Sequence, residues 1–260
     1  MSIETRVFLS RPSIATLRLE PMGRAKSWGA TGFLTERMGK LWLVTNWHVL
    51  SGRHFQTGKP LDETDCATPV SITVHFPTAY DISVRVSRNY PVLDEDGDPL
   101  WLEHPVHRHA VDVAVMEIEI PDTAARQIYS LDPSPQPAAM RVSEDLSIVG
   151  FPFKQMGGAM TALWTRATVA SEPVVDYAGL PCFLVDARSR SGQSGSPVLL
   201  YRPEGTWMVA ENGDPVTYNE PFEEFVGIYS GRINEESDLG FVWRRSVIEE
   251  VIGRGVVGEV

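Results

Sequence analysis

The stretch SRSGQSGSPVLLY, residues 189–201, joins a run of small and turn-forming residues to an apolar segment. Glycine forms tight turns at no steric cost, so Gly192 and Gly195 predict a turn with Ser194 at its tip. In such a turn the backbone N–H groups of Gly192 and Ser194 can converge on an oxyanion. An ordinary hairpin turn has the same pattern. A serine hydroxyl also needs a base to become a nucleophile. Whether Ser194 is a nucleophile or part of an ordinary turn therefore depends on whether the rest of the chain provides such a base.

The positions of the histidines limit the choice of base, because all six lie at or before His109. An α/β-hydrolase places its histidine after its serine, and Ser196 stands where its nucleophile turn requires glycine, so that fold is excluded. In LWLVTNWHVLSGR, residues 41–53, His48 directly follows an apolar strand pattern. His48 is therefore the candidate base, although a half-buried structural histidine would fit the same pattern.

A carboxylate in an apolar run provides the third candidate. Asp112 lies in HAVDVAVMEIEI, residues 109–120, with small or β-branched apolar residues on both sides. Burying a carboxylate is costly unless it accepts hydrogen bonds. Either Asp112 faces water at a strand edge, or it is paired with a group such as an imidazole N–H, which an acid holds in one tautomer.

The remainder of the chain consists of short β-branched or alternating runs separated by turn residues, which predicts strands. Residues 121–139 contain four prolines in a polar setting, which is typical of a linker. A length of 260 residues allows two small β-domains. We therefore expect an all-β fold of two antiparallel six-stranded barrels, residues 1–120 and residues 140–260, joined by this linker.

The chain ends in RRSVIEEVIGRG, where four apolar residues share one face of a predicted helix that stops at Gly253. These four residues are Val247, Ile248, Val251 and Ile252.

Composition excludes several classes of function. The formal charge of −11 argues against nucleic acid as a partner, and no run approaches the roughly 18 apolar residues of a membrane span. The N-terminus lacks the pattern of a signal peptide. Cys66 and Cys182 are far apart, which favours free thiols in a cytoplasmic protein, with export by a removed leader as the alternative. The oligomeric state is left open.

Two stretches resemble metal sites without meeting the requirements. In LDEDGDPL, residues 93–100, three aspartates have calcium-loop spacing, but Pro99 occupies the position that requires glycine. In HPVHRH, residues 104–109, three histidines lack an evident fourth ligand. We expect an acidic turn and a loop, and no metal.

Taken together, the motifs resemble those of the trypsin/chymotrypsin-like serine peptidases, over roughly residues 13–252. TNWHV, DVAV and GQSGSPV are similar to the histidine, aspartate and nucleophile motifs of that family, in the same chain order and 64 and 82 residues apart. VGIYSG and LGFVW resemble its substrate-binding strand and the strand behind its specificity pocket. Within the family, the bacterial glutamyl-endopeptidase-like subgroup is the most similar.

The resemblance implies a serine endopeptidase that cleaves proteins or peptides through an acyl-enzyme and needs no cofactor. Ser194 would be the nucleophile, His48 the general base and then acid, and Asp112 the group that orients His48. The N–H groups of Gly192 and Ser194 would form the oxyanion hole. Ser230 would support the aspartate, and Tyr229, Ser230 and Gly231 would contact the substrate. Two alternatives are an esterase or amidase with the same residues, and a catalytically silent protein-binding domain.

Aligned with the family, Arg188 falls at the base of the specificity pocket, and Gly240 leaves the pocket wall open. A buried guanidinium there would favour an acidic side chain before the cleaved bond. Alternatively, Arg188 faces solvent or pairs with Asp186, and Arg232 blocks the entrance. Tyr229 replaces the histidine of glutamate-specific members, so that specificity does not transfer.

Gln193 stands where many members have an acid. In relatives made as inactive precursors, that acid binds a newly cut N-terminus. Gln193 carries no charge, so we expect local bonds to hold the oxyanion loop and the chain to be active as translated, without removal of a propeptide.

Overall fold

The computed structural model describes residues 9–23, 26–62, 68–134, 137–234 and 236–259. Cys66 lies outside these ranges. Two short 3-10 turns span Pro152–Lys154 and Gly158–Met160. The helices are α1 (Arg11–Ala15), α2 (Trp47–Ser51) and α3 (Arg245–Arg254). The strands are β1 (Thr16–Met22), β2 (Ala30–Arg37), β3 (Lys40–Thr45), β4 (Ser71–Pro77), β5 (Arg85–Pro91), β6 (Leu102–Glu103), β7 (Ala114–Glu117), β8 (Asp145–Gly150), β9 (Leu163–Val169), β10 (Cys182–Asp186), β11 (Ser196–Arg202), β12 (Trp207–Val209), β13 (Pro215–Thr217), β14 (Phe222–Arg232), β15 (Leu239–Arg244) and β16 (Val256–Val257).

The second half of the chain forms the closed barrel that the sequence predicts. Six antiparallel strands follow one another around it in the order β10, β15, β14, β11, β8, β9. Its interior is filled by side chains such as Ile148, Val169, Phe183 and Val198, all buried. The expected six-stranded barrel is thus confirmed for this half.

In the first half, seven strands join β16 from the end of the chain in an eight-stranded sheet that the structure does not show closing into a barrel. The strand order is β16, β6, β7, β3, β2, β1, β4, β5. Strand β6 has only two residues and lies between β7 and the edge strand β16, with which it pairs through Val256–Glu103 and Val257–Leu102. That pairing extends the sheet at the edge where closure onto β5 would occur. The structure therefore does not show the second closed barrel that the sequence predicts.

The C-terminal helix lies where its apolar face predicts. In α3 the four residues named from the sequence are all buried, in one cluster with residues of the first sheet. The predicted stop at Gly253 is slightly early, because the helix continues to Arg254 and the Gly255 N–H bonds the Val251 carbonyl at 2.9 Å. The helix holds the end of the chain against the first sheet, and β16 follows directly.

Three aromatic rings connect the two halves. Phe33 of β2 packs edge-on against Tyr129 and Phe225 of β14, with ring centroids 5.1 and 5.2 Å apart. Tyr129 belongs to the proline-rich segment and is fully buried, with its hydroxyl 2.8 Å from that of Thr16. The segment predicted as a linker thus contributes to the core between the halves. Such rings bury large apolar areas, which fixes β2 against β14.

No helix in the described ranges is long and apolar enough to span a membrane.

Ile248→Ala should lower the free energy of unfolding by about 2–5 kcal/mol, since it leaves a cavity at a fully buried position. Val174→Ala is the matched control, because Val174 is 83% exposed and should change stability by less than about 0.5 kcal/mol. Urea unfolding followed by tryptophan fluorescence measures both. Equal effects of the two substitutions would contradict the placement of α3.

Candidate active site

The structure brings His48 and Asp112 into direct contact. His48 lies in α2, one residue past its start, and Asp112 lies two residues before β7. The Asp112 carboxylate is fully buried, and both of its oxygens contact His48. Oδ2 is 2.6 Å from the ring Nδ1, and Oδ1 accepts the His48 backbone N–H at 2.9 Å. The buried carboxylate therefore has the compensating partner that its apolar surroundings require.

This contact also determines the state of the imidazole ring. A carboxylate can only accept hydrogen bonds, so Nδ1 carries the proton in the His48–Asp112 hydrogen bond. In the neutral ring, the other nitrogen, Nε2, is then left as an acceptor.

Polar side chains fix the short helix that carries His48. Asn46, fully buried just before α2, donates its amide to the Asp112 carbonyl at 2.7 Å. Trp47 donates its indole N–H to Glu103 at 2.7 Å, and Arg108 contacts the same carboxyl group at 2.8 Å. Burial raises the pKa of Glu103, and the bonds from Trp47 and Arg108 oppose that rise. Hydrogen bonds from Asn46 and Trp47 thus hold the start of α2 to Asp112 and to Glu103 of β6.

Thr31 of β2 holds the loop that carries Ser194. Its N–H donates to the Ser194 carbonyl at 2.8 Å, and its hydroxyl donates to the Gly192 carbonyl at 2.7 Å. The same hydroxyl oxygen accepts the Phe151 N–H at 3.2 Å. Its carbonyl accepts the hydroxyl of Thr45, the last residue of β3, at 2.8 Å. All four polar interactions are buried, and they join the Ser194 loop to the strand that leads into α2.

The two glycines around Ser194 are required by close approach as well as by conformation. Gly192 and Gly195 have φ angles of 97° and 85°, a region that side chains disfavour. A Cβ on Gly195 would overlap the Thr31 carbonyl oxygen, and one on Gly192 would overlap the Phe151 carbonyl oxygen. The loop can therefore pack against β2 only with glycine at both positions.

Gln193 bonds inside the loop. Its side chain is fully buried, with Oε1 accepting the Arg190 N–H and Nε2 donating to the Thr165 hydroxyl, both at 2.7 Å. This includes the local backbone bond expected of an uncharged residue at this position.

The Ser194 hydroxyl does not bond His48. Its one hydrogen bond in the described part of the chain goes to the Ser230 carbonyl at 3.4 Å, which is long for an O–H donor. Catalytic hydrogen bonds are often long or absent without substrate and form when it binds. Over the same residues, the N–H groups of Gly192 and Ser194 donate to no protein acceptor, so both are available to a ligand.

Ser230 differs from its expected role. Its hydroxyl accepts the indole N–H of Trp243 at 3.1 Å and, among the described residues, makes no bond to Asp112. Trp243 lies on the neighbouring strand β15, opposite Ile228, and Ser230 lies at an irregularity in the pairing of the two strands, between Tyr229 and Gly231. Gly231 follows with φ of 138°, and a Cβ there would meet nothing within 4 Å. The outer face of β14 is therefore open at this point.

The pocket residues also depart from expectation. Arg188 is exposed and is not buried at a pocket base, whereas the next residue, Ser189, is buried. Gly240 does not leave an open wall, because the ring of Tyr229 packs directly on it. A Cβ on Gly240 would lie 2.6 Å from both Cε2 and Oη of Tyr229. The ring thus fills the space that the missing side chain creates.

The two stretches that resemble metal sites form hydrogen bonds within themselves. Asp94 accepts the N–H groups of Asp96 and Asp98 at 3.0 and 2.8 Å, as in an acidic turn. The Nδ1 of His104 accepts the N–H groups of Val106 and His107. Within the residues described, no group of three metal-binding side chains comes together. Cys182 is a buried free thiol, and burial raises its pKa to about 12.

Sequence reasoning missed Thr31, Asn46 and Glu103. Asn46 lies inside the TNWHV motif, so its proximity to His48 was a usable signal. Glu103 lies between Leu102 and His104, where an acid beside an apolar residue suggests a buried pair. Thr31 gives no such signal, because its role depends on how β2 meets the Ser194 loop.

Comparisons with known proteins agree with this geometry. The sequence pattern of the family described as the trypsin-like peptidase domain matches residues 30–205. Among curated proteins, no sequence matches this chain.

Several solved structures share the fold. A variant of the HtrA-type protease AlgW, solved with a tripeptide, has 16% identity and a TM-score of 0.51 over 94% of this chain and 60% of its own. A serine endoprotease from Yersinia pestis has 14% identity and a TM-score of 0.51 over 96% of this chain and 67% of its own. The protease Anisep from Arthrobacter nicotinovorans has 11% identity and a TM-score of 0.52, over 93% and 95% of the two chains.

At these identities the similarity concerns the fold, and the present chain spans only 60% of the AlgW chain. The family match covers more than half of the sequence and includes His48 and Asp112 as well as Ser194. The chain therefore belongs to the trypsin-like peptidase family, and it has a chymotrypsin-like fold.

Proposed function

We propose that this peptidase is an endopeptidase in which Ser194, His48 and Asp112 act together through an acyl-enzyme. The observation that carries the proposal is the fully buried Asp112 carboxylate, whose two oxygens both bond His48. A peptide or protein is the substrate. The motifs also support a place near the bacterial glutamyl-endopeptidase-like members of the family, without their glutamate specificity.

In the proposed reaction, Ser194 first turns from the Ser230 carbonyl and donates its hydroxyl to His48 Nε2. Oγ attacks the peptide carbonyl carbon while its proton passes to Nε2. His48 then gives this proton to the leaving amine as the C–N bond breaks, which leaves an ester on Ser194. A water molecule deprotonated by His48 attacks the ester, the acyl group leaves as a carboxylic acid, and Ser194 recovers its proton.

Asp112 serves this cycle by holding Nδ1–H, so that Nε2 faces the serine and the imidazolium is stabilised when it forms. The free N–H groups of Gly192 and Ser194 receive the charge that develops on the carbonyl oxygen. Thr31 contributes from the first sheet, because it fixes the carbonyls of both residues. These carbonyls belong to the peptide units next to the two donors, so their position sets the position of the donors.

Ser194→Ala and His48→Ala should each lower kcat for peptide cleavage by about 10⁴-fold or more, and Asp112→Asn should cause a similar loss by allowing the wrong tautomer. Turnover of a peptide library and mapping of the residue modified by a fluorophosphonate measure this. Ser130→Ala, an exposed serine in the segment between the halves, is the matched control and should keep full activity.

The proposal fails if the Ser194→Ala variant, with unchanged circular dichroism, keeps near-native turnover. Rapid hydrolysis of small esters without cleavage of any peptide would replace the peptidase by an esterase. If the fluorophosphonate leaves Ser194 unmodified and Ser194→Ala still binds a protein partner as wild type does, the domain is a binding module.

Thr31→Val should lower kcat by about tenfold or more with little change in KM. It leaves the Gly192 carbonyl and the Phe151 N–H without their buried partner, at about 1–3 kcal/mol each. Thr31→Ser retains the hydroxyl and should restore most of the rate. Steady-state kinetics and the rate of fluorophosphonate labelling provide the measurements.

Thr35→Val is the control for that effect, because Thr35 lies on the same strand and its buried hydroxyl donates to the Tyr129 carbonyl at 2.8 Å, away from Ser194. It should lower stability in urea by a similar amount and leave kcat unchanged. Equal losses of kcat in both valine variants would mean that Thr31 supports only the fold.

A further inference from the structure

We propose that Tyr229 is the specificity-determining residue, and that it restricts the side chain before the cleaved bond (P1) to one no larger than valine. This inference rests on the proposed peptidase function of Ser194. It depends on where the Tyr229 ring lies relative to the nucleophile and to the two chain segments that surround it.

The backbone of Tyr229 is adjacent to the nucleophile. Its carbonyl accepts the N–H of Gly195 at 3.0 Å, and the carbonyl of the next residue, Ser230, accepts the Ser194 hydroxyl. A substrate whose carbonyl carbon meets Ser194 must therefore direct its P1 side chain toward the space beside β14. That space lies between β14, β15 and the segment that precedes the Ser194 loop.

One backbone hydrogen bond brings the walls of this space together. The Ala187 N–H donates to the Asp238 carbonyl at 2.9 Å, which ties the segment before Ser194 to the turn before β15. The buried Ser189 lies near the Tyr229 hydroxyl, and Gly240 of β15 lies against the same ring. In a pocket with these walls, depth depends on which side chain occupies the region between Ser189 and Gly240.

The Tyr229 ring occupies that region. Tyr229 is 1% exposed, and the Cε2 and Oη atoms of its ring would lie 2.6 Å from a Cβ on Gly240. The ring therefore reaches across from β14 to β15 and covers the glycine. A long P1 side chain would have to displace a packed aromatic ring, whereas a methyl or isopropyl group would need only the outer part of the space.

The surroundings of the Tyr229 hydroxyl also limit which P1 side chains fit. Burial raises the pKa of Tyr229 to about 12, and the Ser189 hydroxyl counters part of that rise. Among the described residues, Oη has no partner in hydrogen-bonding geometry. Arg188 is exposed, and the two charged groups that act on Tyr229 have opposite signs, since Arg232 lowers the pKa of Tyr229 and Asp238 raises it. The region around the ring therefore has no net positive charge to compensate a buried carboxylate. Small neutral side chains fit this region, and glutamate does not.

The test uses peptidyl diphenyl phosphonates that differ only at P1 and that modify the nucleophilic serine. Against the full chain, the alanine and valine reagents should modify Ser194 at least about tenfold faster than the leucine, phenylalanine and glutamate reagents. That factor corresponds to the discrimination that one or two methylene groups provide in an apolar pocket. A simple fluorophosphonate without a P1 side chain establishes first that Ser194 is reactive.

Tyr229→Ala should open the pocket and raise the rate of the phenylalanine reagent relative to the alanine reagent at least about tenfold. Tyr229→Phe, which keeps the ring and loses only the hydroxyl, should retain the wild-type ranking. If Tyr229→Ala does not fold, the wild-type ranking together with Tyr229→Phe still decides the proposal.

Equal or faster modification by the leucine, phenylalanine or glutamate reagent would overturn the proposal while Ser194 still reacts with the fluorophosphonate. So would a failure of all five peptidyl reagents on a serine that the fluorophosphonate labels, or a folded Tyr229→Ala variant with the wild-type ranking. If the fluorophosphonate itself does not modify Ser194, the peptidase proposal fails and this one with it.

Discussion

The arrangement of the site depends on the bonds that Thr31 makes between the two halves of the molecule. Its N–H, hydroxyl and carbonyl are all bonded, to Ser194, Gly192 and Thr45 respectively, in a region closed to water. Because unpaired buried polar groups cost free energy, these bonds admit little change in the position of the loop. The first sheet thereby determines the conformation of a loop that belongs to the barrel.

The His48 side of the site is held by a second set of buried polar contacts. Asn46 and Asp112 position α2 from one side, and Trp47 with Glu103 from the other. Thr45 and Asn46 are consecutive, so the two sets meet at the end of β3. The end of β3 therefore holds both the helix that carries His48 and, through Thr31, the loop that carries Ser194. Acyl transfer would require the two side chains to be held close together.

In the proposed enzyme, the neighbouring residues Tyr229 and Ser230 of β14 have different roles. The Ser230 carbonyl meets the Ser194 hydroxyl, while the Tyr229 ring turns to the barrel interior and covers Gly240. The Ser194 hydroxyl contacts the backbone of β14, whereas the proposed P1 preference depends on a side chain of the same strand. A change of that side chain would therefore alter the P1 preference and leave the backbone contact of Ser194 in place.

The sequence by itself determined the family, the strand-rich composition, the apolar face of α3 and the three residues of the proposed mechanism. Those features depend on local patterns: glycines around a serine, a histidine after a strand, and an acid in an apolar run. The place of β16 in the first sheet was not predictable, since β16 pairs with a two-residue strand about 150 residues earlier in the chain. Whether a sheet closes into a barrel depends on how its edge strands pair, and the hydrophobic periodicity of the sequence does not reveal that pairing.

Only the tertiary structure decided the pocket and the support of the loop. Alignment along the chain placed a cation at the pocket base, yet Arg188 faces solvent and Tyr229 fills the space over Gly240. Likewise, nothing local distinguishes Thr31 from other strand threonines such as Thr35. Side-chain direction and contacts between distant segments arise when the two halves pack, so single-residue patterns identify the reactive groups but not their surroundings.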